Sequence, residues 1–223
     1  MRFAFLFAFL FIGFVTIQAQ ENTSLKPEKQ DQFIIDILWE TFDHRPGDLK
    51  MKWYNYGINL AYMYDAPVTK NVSFAIGLGY SNQNYYSNSF LKHDTIDDGS
   101  NNAYWEVIEG EYRKYKVSVS TVEMPIELRF RSDPHLPGHS TKIAVGLKPG
   151  YVFDVHDKFI TREKDKYKTY IFPTIEEFRL MSVVRIGYGK VSVTGGYSFT
   201  PFFQEGNGPE MHQINLGISL MPF

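Results

Sequence analysis

A chain whose strands each carry one oily and one polar face, with no helix to cover the oily faces, has few ways to fold. Residues Met211 to Leu220 show the pattern: Ile214, Leu216, Ile218 and Leu220 fall on one side of an extended strand, and Gln213, Asn215, Gly217 and Ser219 on the other. Roughly eight such strands follow one another. Oily faces that find no core inside must meet an apolar medium outside, and a closed barrel in lipid satisfies both the side chains and the backbone.

The other strands repeat the alternation. Phe33, Ile35, Ile37 and Trp39 share one face of a first strand over Phe33 to Thr41, with Asp36 and Glu40 on the other. In a second strand, Trp53 to Tyr64, the outward set is Tyr54, Tyr56, Ile58, Leu60, Tyr62 and Tyr64. Its outermost tyrosines are about 33 Å apart along the strand, which a tilt near 40° shortens to about 25 Å, the height of an outer-membrane apolar band between two aromatic girdles. Further strands are expected at Val72–Ser81, Val117–Phe130, Thr141–Val155, Phe178–Tyr188, Val191–Thr200 and Met211–Leu220. The expected fold is all-β: an eight-stranded antiparallel up-and-down transmembrane β-barrel.

The connections alternate. Long ones run about Phe42–Lys52, Asn82–Lys116, His156–Glu177 and Pro201–Glu210, while Gly187-Tyr188-Gly189-Lys190 is a tight turn. Outer-membrane barrels have short periplasmic turns and long extracellular loops, which puts both termini in the periplasm. A soluble sandwich or ligand-carrying barrel is the alternative, and it would hide the same apolar faces inside.

At the N-terminus, Arg2 precedes the apolar stretch Phe3–Val15, and Ile17-Gln18-Ala19 ends in a small residue. We read 1–19 as a signal peptide, 20–31 as a short periplasmic linker and 32–223 as the barrel. The absence of cysteine excludes a lipid-modified N-terminal cysteine, disulfides and thiolate sites. A formal charge of -2 gives no bias toward nucleic acid. Aromatics at 17% suit a barrel with girdles. Phe223 is terminal, but Ser219, Gly217 and Asn215 share its parity and Pro222 breaks the ladder, a weakened form of the usual C-terminal barrel signal.

If apolar side chains face outward, the interior receives Asp36, Glu40, Glu123, Glu127, Arg129, Lys148, Asp154, Arg179 and Arg185. An eight-stranded barrel is just wide enough for side chains, so these charges must pair. A salt-bridged plug is the expected arrangement, with a gated path or proton relay as its rival. Chemistry is otherwise thin. Asp94, Asp97 and Asp98 before Gly99 miss the calcium-loop template, and His135 and His139 sit in a Pro-containing turn that cannot be the helix their spacing would need. Asp154 and His156 lack a motif that fixes a serine, so a lipid hydrolase stays a minor alternative and no cofactor or metal is expected. Loop aromatics, among them Tyr104, Trp105 and Tyr112, are interaction candidates, with plain extension of the strands above the membrane as the alternative, and the alternating charges of Arg162–Lys168 fit either lipopolysaccharide phosphates or a solvated hairpin.

Val122-Glu123-Met124-Pro125-Ile126-Glu127-Leu128-Arg129 resembles a strand of the PorT-like outer-membrane β-barrel family of Bacteroidota, as do Tyr62-Met63-Tyr64-Asp65, Gly77-Leu78-Gly79, Arg185-Ile186-Gly187-Tyr188-Gly189 and Tyr197-Ser198-Phe199-Thr200-Pro201. The resemblance implies an eight-stranded barrel without catalytic residues. The family's namesake takes part in protein secretion, which implies envelope or secretion proteins as partners, beside the outer-membrane lipid and lipopolysaccharide that the barrel reading itself brings.

Overall fold

The computed structural model describes residues 32–95, 101–133, 139–170 and 173–221. The signal peptide and linker of 1–31, Asp97, Asp98 and Gly99 of the acidic run, His135 of the Pro-containing turn, and terminal Pro222 and Phe223 lie outside the described residues.

Twelve strands form among the described residues: β1 (Phe33–Phe42), β2 (Tyr56–Pro67), β3 (Val72–Tyr86), β4 (Ser89–Thr95), β5 (Asn101–Val107), β6 (Tyr112–Glu123), β7 (Ile126–Arg131), β8 (Thr141–Thr161), β9 (Lys166–Thr169), β10 (Phe178–Tyr188), β11 (Val191–Tyr197) and β12 (Gln213–Leu220). Each barrel strand pairs antiparallel with its sequence neighbours, and β12 pairs with β1 to close the sheet. Strands β6 and β7 occupy one position between β3 and β8, interrupted at Met124-Pro125. Proline has no N–H for the ladder, so the strand breaks there. Counting that pair as one gives the eight barrel strands expected from the sequence.

The expected parity holds through the barrel wall. Ile37 is 56% exposed, Leu128 51% and Ile218 51%, while the alternating Asp36, Glu127 and Ser219 are buried. Trp39 and Tyr56 stand opposite each other toward the long-loop end, and Tyr62, Tyr64, Phe130 and Tyr188 lie outward toward the short-turn end. These aromatics frame a band of Ile, Leu and Val, the profile of a lipid-facing wall.

The closing seam depends on a glycine. A Cβ on Gly217 would lie 2.8 Å from Leu38 Cα and closer still to the Ile37 carbonyl oxygen. Both are backbone atoms of the strand that closes the barrel, so neither can swing aside. We expect Gly217→Val to cost about 1–3 kcal/mol of barrel stability, read as a lower temperature for loss of the compact, fast-migrating form on unboiled denaturing gels. An unchanged temperature would show that the seam has slack.

Much of what the sequence suggested as loop is strand. Strand β3 continues to Tyr86, β6 begins at Tyr112, and β8 runs on to Thr161 with β9 beside it. The wall therefore rises beyond the girdle at the long-loop end. There the rule that apolar residues face outward reverses, since the outside is water: Val117 and Val119 are fully buried on the inner side.

Candidate functional site

The lumen is filled in two layers. The lower layer is polar. Asp36 accepts a two-pronged contact from Arg185, Nη1 to Oδ1 at 2.5 Å and Nη2 to Oδ2 at 3.0 Å. Arg185 Nε also donates to Glu127 Oε1 at 3.1 Å, and Glu127 Oε2 accepts from Arg129 Nε at 2.8 Å. Arg129 lies 3.5 Å from Asp65, whose other oxygen meets Arg131. Asp36–Arg185–Glu127–Arg129–Asp65–Arg131 is thus a chain of six alternating charges across the lumen. Ser219 donates to Asp36 at 2.6 Å and Ser73 to Asp65 at 3.1 Å. Alternation and dense hydrogen bonding are what allow buried charge to persist.

Above it, Lys148 Nζ meets Glu123 Oε2 at 3.2 Å and Ser81 donates to Glu123 Oε1 at 2.9 Å. Higher still, Gln213 bridges Glu40 (2.9 Å) and Arg179 (2.7 Å). The Arg179 guanidinium also lies 5.0 Å from the Phe202 ring centroid, so it joins the polar layer to an apolar one. A cavity beside Arg129, Arg131, Lys142 and Arg185 has a volume of about 20 Å³, room for a single water.

The upper layer is a hydrophobic core inside the barrel mouth. Phe42, Leu49, Tyr85, Leu91, Tyr115, Val152, Ile175, Phe202, Phe203 and Met211 are buried there. Strands β4 and β5 form a separate hairpin laid over it. Tyr115 Oη accepts from Leu91 N at 2.9 Å, Ala103 N donates to the Asn207 carbonyl at 2.9 Å, and His93 meets Thr174 at 3.0 Å. Partial burial, opposed by the Asp157 charge, holds His93 below the usual imidazole range.

Of the interior charges expected from sequence, Asp36, Glu40, Glu123, Glu127, Arg129, Lys148, Arg179 and Arg185 lie buried in the lumen. Asp154 does not. A bulge shifts the pairing, so Thr121 faces Val152 but Ser120 faces Asp154, and Phe153 is the extra residue. The bulge reverses parity and puts Asp154 on the outer face, 2.8 Å from His156 Nδ1. Ser118 stands opposite His156, but its hydroxyl donates to Asn84 and accepts from Asn82. Asp65 and Arg131, not singled out in the sequence, complete the charge chain; polar residues at the short-turn ends of β2 and β7 were the available signal. Among the loop aromatics, Trp105 and Tyr112 pack partly buried against the mouth core, whereas Tyr104 points off the other face of its hairpin with its hydroxyl 3.4 Å from Asp94.

A family model described as outer membrane protein beta-barrel domain matches residues 9–205. Among solved structures, Ail, the attachment invasion locus protein of Yersinia pestis, is similar at 10% identity and TM-score 0.35, over 85% of this chain and 95% of that one. Its complex with the heparin analogue sucrose octasulfate gives 11%, 0.32, 85% and 96%. The translocator domain of the autotransporter NalP from Neisseria meningitidis gives 12% and 0.29, over 84% and 87%. No curated protein sequence matches.

Proposed function

Since this chain belongs to the outer membrane protein beta-barrel domain family, we propose that it is a sealed outer-membrane barrel of structural or partner-binding type, exported by its N-terminal signal peptide, whose work is done by the capped extracellular end. The filled lumen carries this reading. Six alternating charges cross the lower half, and a packed apolar layer closes the mouth. A conduit needs a continuous aqueous path, and eight-stranded barrels fill theirs with side chains. The resemblance at Val122–Arg129 supports a PorT-like barrel of Bacteroidota type, accessory to secretion or envelope integrity.

Planar-bilayer recording tests the seal. We expect no single-channel steps from the intact protein. Removing Ser89–Val107 should leave it silent as well, because the charge chain lies below the cap. Stepwise conductance from either protein would replace the sealed reading with a conducting one. Outer-membrane sedimentation with a boiling-dependent gel shift checks the placement independently.

A second reading rests on Asp154 and His156, paired at 2.8 Å on the outer face beyond the lipid girdle. That is where a lipid-modifying enzyme would work. It predicts altered phospholipid or lipid A in a deletion strain, and an unchanged lipid profile removes it.

A further inference from the structure

Beyond the girdle, strands β6, β8 and β9 form a tongue whose outward face is unusually basic. The pairing fixes its rows. Trp39 faces Tyr56, Tyr56 faces Asn84, Asn84 faces Ser118, and Ser118 faces His156. Such a row climbs as it passes round the tilted barrel, so height is read along each strand: on β8 the outward Tyr151 and Phe153 end the lipid-facing stretch, and His156 lies beyond them. The next outward row, two residues or about 7 Å further along the strands, sets Lys116 opposite Lys158 and Lys158 opposite Lys168. One row higher, Lys114 and Lys166 flank Ile160.

These five ammonium groups lack acidic partners. No carboxylate lies within ion-pairing distance of any of them among the described residues. Asp157 turns to the inner side, where Tyr115 donates to it at 3.2 Å. Asp154 is held by His156, and Glu111 pairs with Arg162 at the tip. Like charges set directly opposite one another on neighbouring strands are destabilising. Three lysines in one row are therefore a cost to the fold that a bound anion would relieve.

Position selects the anion. The face looks sideways over the leaflet, continuous with lipid-facing Val122, Tyr151 and Phe153 on the same strands. On β8, Lys158 follows lipid-facing Phe153 by about 16 Å along the strand, or about 12 Å along the membrane normal at a tilt near 40°, so its flexible stem reaches down to a headgroup layer about 5–8 Å thick. Lysine is suited to phosphate as a point charge. Polar groups surround the row: Asn84 accepts from Lys116, and Lys168 Nζ is 3.4 Å from Tyr170 Oη.

We propose that the outward row Lys116–Lys158–Lys168, with Lys114 and Lys166 above it, binds the phosphates of the outer-leaflet glycolipid lipopolysaccharide and fixes a lipid against this side of the barrel. The site rests on the outer-membrane placement, which the boiling-dependent gel shift reports separately.

The test is native mass spectrometry of the full barrel released from phosphatidylcholine nanodiscs. The discs are doped in turn with bis-phosphorylated lipid A, the same lipid A after phosphatase treatment, and phosphatidylglycerol. Wild type should retain the bis-phosphorylated form about tenfold more tightly than the dephosphorylated one. The triple change Lys116→Gln, Lys158→Gln, Lys168→Gln should lose that preference while keeping its gel shift; Lys50→Gln with Lys52→Gln, in another loop, should keep it. If the triple variant fails to fold, Lys158→Gln alone should lower the preference about threefold. Equal retention of the two lipid A forms, or an unchanged preference in the folded lysine variants, overturns the site. Phosphatidylglycerol held as tightly as bis-phosphorylated lipid A overturns its assignment to a glycolipid.

Discussion

Replacing Arg185 with methionine destabilises the barrel by about 3–5 kcal/mol, the usual cost of stranding buried charge. Among the described residues, Arg185 is the only cation hydrogen-bonded to Asp36, and it also shares Glu127 with Arg129. Both carboxylates are buried, at 2% and 1% exposure. Methionine fills much of the space without supplying a donor, so Asp36 keeps only neutral partners, Ser219 at 2.6 Å and Asn59 at 3.5 Å. Adding Asp36→Asn removes the stranded charge and should recover at least half of the loss, because a network with both charges deleted costs far less than one with a single charge left over. Urea unfolding in phosphatidylcholine vesicles, followed by tryptophan fluorescence, measures both. A loss under about 1 kcal/mol for Arg185→Met would mean that the alternating chain is not what holds the lower lumen together.

Ile37→Arg is the second large effect, about 2–4 kcal/mol in a bilayer, because an arginine near the midplane must be lifted out of hydrocarbon. Ile37 stands in register with Ile58 on one side and Ile218 on the other, in the middle of the band between the girdles. The sign of the argument depends entirely on what surrounds the wall. Were this face in water, a surface substitution at a 56%-exposed position would be nearly neutral, within about 0.5 kcal/mol. The same unfolding experiment therefore separates a lipid-facing wall from a solvated one.

The parity of the wall was readable from residues alone because a period of two is binary: Ile35, Ile37 and Trp39 on one side force Asp36 and Glu40 to the other. That alternation located all eight barrel positions and correctly placed all but one of the charges it assigned to the interior, though Asp65 and Arg131 were passed over. Asp154 was misplaced because a bulge adds one residue without leaving a mark in an already mixed stretch, Phe153-Asp154-Val155-His156. The mouth was harder still. Val117 and Val119 belong to the same oily-and-polar alternation as the wall, but above the girdle the apolar medium lies inside, supplied by Leu91 from one distant segment and Phe202 and Met211 from another. Nothing local announces that change of surroundings. The lysine row has the same character, since Lys116, Lys158 and Lys168 become neighbours only through pairing across three strands.

The central claim, that the outward set along each strand touches lipid and the alternate set a sealed lumen, is tested most directly by site-directed spin labelling. The chain has no cysteine, so single cysteines at positions 58 to 63 of β2 can each carry one label in vesicle-reconstituted protein. Accessibility to oxygen should peak at 58, 60 and 62 and fall at 59, 61 and 63, with the water-soluble nickel chelate excluded from both sets. Access of the nickel chelate to 58, 60 and 62 would put the apolar face in water, and its access to 59, 61 and 63 would mean an open lumen; either result contradicts the account.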